Sequence, residues 1–266
     1  MSKRAILGVM LVLILSYGAG LALFMPPERL TGWSRALIGE RMSWQKLSLG
    51  WDGIRFSKVR FTPPLFNPDR DIDSMRFHPS FLPLFSGRLG AGYEIGMAFG
   101  RLEGEGSWNG HQGRLEWRLH LEELGKLAGL WLGPLGAELH GKGLGSGWMN
   151  ASTDEPHTLE SGEGEIQLQG VVAFGAKIEP LNLSTKVKEP NLVEIALAGK
   201  GDVAVSGKIT ARFLPADPRA GPLHGEIQIQ PVKTNLPGLA GQLLARGQPV
   251  RLLLSGTLAN PQWRMP

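Results

Sequence analysis

The sequence predicts a mainly β chain: one N-terminal transmembrane helix followed by a curved, mostly antiparallel β domain with a few short helices. Three observations predict it. Apolar and polar residues alternate in many short runs, most plainly in GEIQLQG (164–170) and GEIQIQP (225–231). Successive side chains of a strand point to opposite faces, so each run carries one greasy and one amide face. The 37 Gly and 19 Pro among 266 residues make up about a fifth of the chain and punctuate these runs, which is the pattern of many strands joined by turns. The third observation is AILGVMLVLILSYGAGLALF, residues 5–24, twenty residues without a charge.

That stretch has the length of a helical membrane span. Lys3 and Arg4 precede it, so the positive-inside rule keeps residues 1–4 as a cytoplasmic tip and sends the rest across. A cleaved signal peptide is the competing reading. The apolar core is long for one, and no clean A-x-A site follows. An uncleaved signal anchor places the bulk of the chain outside the cytoplasm. In a Gram-negative cell this means an inner-membrane, single-pass protein with its main domain in the periplasm.

Residues 25–45 read as a connector. Pro26 and Pro27 end the span, and Leu30, Trp33, Leu37 and Ile38 recur at helical spacing. The β domain then runs over 46–266, as one domain of about a dozen strands and three or four short helices. Leu47 and Leu49, Ile54 and Phe56, and Val59 and Phe61 make an early hairpin. TPPLFNPDRDID is a Pro-broken loop, and FHPSFLPLFSGRL (77–89) reads as a helical turn closed by Gly87. Tyr93, Ile95, Met97 and Phe99 alternate. RLEWRLHL (114–121) is the cleanest strand, with Leu115, Trp117, Leu119 and Leu121 on one face and Arg114, Glu116, Arg118 and His120 on the other.

ELGKLAGLWLG (123–133) reads as a short helix, and strands resume at AELHGKGLGSGW. NASTDEPH (150–157) and PADPRAG (215–221) are loops. Between and around the two glutamine runs lie LSTKV, VEIALAG and DVAVSGKITARF. TNLPGLAGQLLARG (234–247) offers Asn235 as N-cap and Gly247 as a stop for a last helix, and RLLLSGTL closes the chain as a strand. The candidate hydrophobic face is Leu115, Trp117, Leu119, Ile166, Leu168, Ile195, Leu197, Ile227 and Ile229. Such a face either closes as a sandwich core or stays open as a groove.

The chemistry that the sequence excludes is broad. There is no cysteine, which removes disulfides, Cys-ligated metals and thiol catalysis. A net charge of +4, with no run of five like charges, does not point to nucleic acid. The six histidines, His78, His111, His120, His140, His157 and His224, include no metal-binding H-E-x-x-H. No P-loop occurs, and GLGSGW around Ser146 is not a nucleophile elbow; glycine turns account for it. Asp69, Asp71 and Asp73 alternate in DRDID, but a calcium loop needs Gly and Glu where Ser74 and Ser80 stand. Glu122 and Glu123 are chain neighbours that do not face each other as an acid pair. The expectation is a chain with no catalytic residues, no cofactor and no metal. Trp108, Trp117, Trp131 and Trp148 are packing residues first and groove-lining residues second.

The order of features resembles a known family. KLSLGWDGIRFSKVRFTP, MRFHPSFLPLFSGRL, LHLEELGKLAGLWLGPLGAELHGKGLGSG and the closing LLLSGTLANPQWRMP are similar to protein N of the bacterial type II secretion system, the GspN family, and more distantly to pieces of AsmA-like proteins. The likeness spans nearly the whole chain, carried most by FLPLFSGRL and SGTLANP. It implies an inner-membrane accessory or structural subunit of the secretion machine that acts by protein–protein contacts, with other secretion subunits as partners. The AsmA side implies the alternative, a lipid-binding or lipid-transfer module with a hydrophobic groove. A chain of this length, at about 4.8 Å per stacked strand, is too short to bridge the periplasm as large AsmA-like proteins do.

Overall fold

The computed structural model describes residues 42–50, 53–61, 72–80, 87–132, 138–152, 154, 158–173, 175–215, 217, 220–233 and 248–265. The expected span at 5–24, nearly all of the 25–45 connector and the helix at 234–247 lie outside them. Among the described residues no helix is long and apolar enough to cross a membrane. The chain is mainly β with few helices, and the pairings described below are all antiparallel. It divides into two compact units: 42–79 with Tyr93–Met97, and Ser80–Gly92 with Ala98–Pro266, so far as described.

The first unit is built on a hairpin. β1 (Met42–Ser43) and β2 (Lys46–Gly50) both pair with β3 (Gly53–Phe61), and β3 pairs with β4 (Ile72–Ser80). Lys58 has a positive φ of 51° and interrupts the β3–β4 pairing between Ser57 and Val59. At this gap in the pairing, where Lys58 stands opposite Asp73 without a change of register, its ammonium lies 2.6 Å from Asp73. Alternation resumes beyond it, so Phe56, Val59, Ile72 and Met75 fall on one face and form a buried cluster with Met42. Trp44, Leu47, Ile54, Phe77 and Ile95 pack around it. Phe77 also corrects the expected helical turn at 77–89. Residues 77–80 continue β4, because Met75 and Phe77 keep period two on the core face; residues 81–86 lie outside the described set.

β5 (Leu89–Met97) contributes to both units. The second unit continues with β6 (Gly100–Trp108), β7 (Gln112–Leu121), the helix α1 (Leu124–Leu132) and β8 (Leu139–Ser152). It goes on through β9 (Thr158–Ala173), β10 (Ala176–Glu189), β11 (Leu192–Gly201), β12 (Val203–Arg212), β13 (Leu223–Pro231), β14 (Val250–Gly256) and β15 (Pro261–Arg264). From β6 to β15 each strand pairs with the next.

Several strands are longer than expected. β8 and β10 run for 14 residues and β9 for 16. Asn150–Ser152, expected as loop, are paired with β9 across an irregularity that absorbs the change of register. β15 was not anticipated: its four residues return after the Thr257–Asn260 turn and pair with Leu253–Gly256. The Pro190–Asn191 turn shows how such lengths are held in step. Asn191 takes a positive φ of 62°, which suits Asn better than most residues. Its Oδ1 accepts the Leu159 N–H at 2.7 Å, its own N–H donates to Leu159 O at 2.8 Å, and its carbonyl accepts from Phe213. One turn residue thus ties β9, β10–β11 and the end of β12 together.

Candidate functional site

Directly paired residues of antiparallel strands share a face. Following the registers across the second unit therefore sorts its side chains. One rung runs Leu102, Leu119, Gly145, Ile166, Leu183, Leu197, Gly207, Ile227 and Leu252. The rung beside it runs Gly104, Trp117, Gly147, Gly164, Thr185, Ile195, Ile209, Gly225 and Leu254, and the one on the other side holds Leu121, Gly143, Leu168, Leu181, Gly199, Val205 and Ile229. Leu115 lies one rung further out, opposite Met149. All nine residues of the expected hydrophobic face thus lie on one face of β7–β13. No charged residue occurs on these rungs. The one polar side chain, Thr185, turns its hydroxyl to Gly164 O at 3.3 Å.

The face is unevenly covered. Near one set of strand ends Leu168, Val171, Ala176, Ile178 and Val203 are buried; near the other, Ala211, Leu223 and Leu254 form a small cluster with Ile209 and Leu258. Between these ends Trp117, Leu119, Ile166, Ile195, Leu197, Ile227 and Ile229 are only half-buried. The opposite face is polar. Gln167, Gln169 and Gln230 are exposed and Gln228 is half-buried.

Glycine shapes the floor of the apolar face. The GLGSG stretch is mid-strand in β8, not a turn, which corrects the expectation for the region around Ser146. Gly143, Gly145 and Gly147 alternate onto the apolar face, with Gly164 beside Gly147. A Cβ on Gly147 would come 2.6 Å from Trp117 Cζ2, and one on Gly164 would overlap the same ring. A Cβ on Gly145 would meet Ile166 Cγ1 at 2.7 Å and one on Gly143 would meet Leu168 Cδ2 at 2.5 Å. Trp117 therefore lies across a hollow that glycine creates, which is the usual way an aromatic side chain compensates for glycine in a sheet. The signal was present in the sequence as glycine at alternate positions, which favours a strand packing point over a turn.

The polar face carries charge networks. The Arg114 guanidinium sits 4.9 Å from the Trp148 ring centroid, Trp148 Nε1 donates to Glu163 Oε1 at 3.2 Å, and Arg114 Nε lies 2.9 Å from Glu116. A hydrogen bond from Lys208 at 2.6 Å, supported by Lys188, holds the Glu194 carboxyl below its ordinary pKa. Asp202 is lowered likewise, first by Lys233 and then by the Lys177 N–H. Burial pushes the Tyr93 hydroxyl of the first unit up. His111 lies 3.2 Å from Asp154 on an exposed edge, and His120 lies 3.8 Å from Glu103. The Asp154 N–H donates to the Ser152 hydroxyl at 3.2 Å. Among the described residues no group of three His, Asp, Glu or Cys could hold a metal ion. Of the DRDID carboxylates only Asp73 is described, and it is paired with Lys58. His157 lies outside the described residues.

No family model, no curated protein and no solved structure matches this chain.

Proposed function

We propose that this chain is an inner-membrane-anchored periplasmic accessory subunit of the type II secretion system, acting by contact rather than by catalysis. The half-covered apolar face of β7–β13 is its working surface. The observation that carries this reading is the contrast within one face, buried at both sets of strand ends and half-exposed between them. Apolar surface left in water is unfavourable in proportion to its area, so a broad face of this kind suits a partner that removes it from water. The membrane anchor comes from the apolar stretch 5–24 and the machine from the resemblance to GspN proteins.

A second reading has its own support. The rungs around Leu119, Trp117 and Leu168 bear no charge, and their middle is only half-buried. An acyl chain asks for that kind of surface, apolar and without directional partners. On this reading the chain is an AsmA-like lipid-binding module.

A photo-crosslinking residue in place of Leu197, in cells that carry the secretion machine, separates the two. A protein adduct that disappears when the other secretion subunits are deleted supports the secretion subunit. A lipid-mass adduct that survives that deletion supports the lipid module. An adduct pattern no different from one produced by the same residue at exposed Gln169 would overturn both.

A further inference from the structure

In the first unit the apolar side of the sheet is filled by the cluster around Phe56. Its other side is basic. Period two and the register place Lys46 and Ser48 of β2, Arg55, Ser57 and Arg60 of β3, and Arg76 of β4 on that side. Arg55 stands directly opposite Arg76, with Ser48 on its other flank, and Ser57 links Lys46 to Ser74. Like charges directly opposed in a ladder are unfavourable, with Cβ atoms only about 5 Å apart. Two acids offset them. Asp73 lies 2.6 Å from Lys58. Glu94 shares the basic side, because its neighbour Ile95 packs on the core cluster and Gly96 adjoins Ser74. Among the described residues of this unit, Lys46, Arg55, Lys58, Arg60 and Arg76 thus outnumber Asp73 and Glu94. Lys46, Arg55 and Arg60 are exposed, and Arg55 has no ion pair with another described residue.

We propose that this basic side binds the anionic phospholipid headgroups of the membrane in which the chain is anchored. The inference rests on the anchor at 5–24 given above. Two observations select this occupant. The first is chemical. Paired guanidinium forks suit phosphate oxygens, and the flanking serine hydroxyls add donors. The second is reach. Only 17 residues lie between Phe24 and Met42, a stretch that even fully extended spans at most about 65 Å. The tether therefore keeps the basic side within about 65 Å of the bilayer, and anionic headgroups attract each cation that comes within a screening length, roughly 10 Å.

The test uses the full chain. It has no cysteine, so Ser43→Cys at the margin of the basic side gives one labelling site for a donor dye. The protein is reconstituted into vesicles of phosphatidylcholine, with and without added phosphatidylglycerol, and energy transfer to a headgroup-borne acceptor is read. Higher transfer in the phosphatidylglycerol vesicles is expected, lost in about 1 M salt, where the screening length falls to about 3 Å. Lys46→Gln with Arg55→Gln should return transfer to the phosphatidylcholine level while leaving the melting temperature nearly unchanged, since both side chains are exposed. Equal transfer in both vesicle types, or transfer indifferent to the double substitution, would overturn the proposal. Retention on phosphatidylcholine vesicles through an alkaline wash reports the anchor separately. If the anchor fails, salt-sensitive flotation with phosphatidylglycerol vesicles alone still supports the basic side, and its absence overturns it.

Discussion

The two units apply the same alternation to different side chains, and they end in different states. In the first unit the apolar positions are large and opposed to large. Trp44 meets Phe56 edge-on at 5.3 Å and Phe56 meets Phe77 at 6.3 Å, while Val59 is 1 % exposed. In the second unit, large side chains face glycine across the ladder: Leu119 faces Gly145, Trp117 faces Gly147 and Ile227 faces Gly207. The first pattern closes a core within a small sheet. The second leaves a wide face of half-covered side chains, with its glycines roofed by larger neighbours. Period two sets which face is apolar; side-chain volume sets whether that face can close on itself.

The largest effect that tests this contrast is a truncation in the closed core. Phe56→Ala removes a buried ring that two other rings contact, and such changes cost about 3–5 kcal/mol. Hydrogen exchange in β2–β4 should quicken strongly, while amides of β9–β13 change little. Uniform loss of protection in both units would show that they do not hold separate cores.

The next effect reverses the manipulation and fills space in the second unit. Gly164→Ala places a Cβ against the Trp117 ring and 3.0 Å from Thr185 Oγ1. Overpacking of this kind costs about 1–3 kcal/mol. The loss should shrink in a Trp117→Ala background, because the ring is what the methyl meets. A double-mutant cycle measures this, and additive losses would mean that Trp117 does not occupy the glycine hollow.

How much of this could be read from the sequence depended on the physical signal. Alternation alone placed Leu115, Trp117, Leu119, Ile166, Leu168, Ile195, Leu197, Ile227 and Ile229 together, because a strand has one way to put them on a common side. Strand ends were harder. Ser152 sits in the polar run NASTDEPH and Phe77 beside Pro79 and Pro83, which favour turns locally, yet cross-strand pairing overrode that preference. GLGSG was read as turns because glycine is the commonest turn residue. Its meaning depends on Trp117, some thirty residues away, and no local rule connects the two. PQWR is too short to show a period at all. The coverage of the apolar face was equally illegible, since it depends on how side chains from many strands fit together.

A smaller effect probes the half-covered middle of the face. Ile227 is half-buried and lies opposite Gly207 and Leu252. Full burial of such a side chain is worth about 1.5–3 kcal/mol, so partial burial together with an introduced charge places Ile227→Asp at about 1–2 kcal/mol. Gln228→Asp, on the opposite face beside Arg251, should be nearly silent. Melting temperatures of the two variants decide this. Equal shifts would contradict the division into faces. A normal melting temperature for Ile227→Asp with loss of the Leu197 adduct would mark the face as a binding surface with little part in stability.

The smallest effect is electrostatic and belongs to the second unit. Asp202 joins three strand ends: its carboxylate accepts the Lys177 N–H at 2.9 Å and meets Lys233 at 2.5 Å, and its carbonyl accepts the N–H groups of Val232 and Lys233. Its side chain is 13 % exposed. Those contacts favour the ionised form, so the folded pKa lies below that of the unfolded chain, as it does for Glu194 between Lys208 and Lys188. When the folded pKa is depressed, the unfolded state binds the proton more readily. The stabilisation is therefore fully present above the unfolded value of about 4 and is lost as pH falls through the folded one. As pH falls from about 4 downward, protection of β10–β13 amides should decline in the native protein. Asp202→Asn keeps the shape but cannot ionise, so it should be less stable at neutral pH and flatter against acid, retaining only the slope due to Glu194 and other carboxylates. Hydrogen exchange of both proteins at several pH values gives the two slopes. Identical slopes would mean that Asp202 holds these strand ends by its backbone carbonyl alone, and that its carboxylate contributes nothing to the difference between the units.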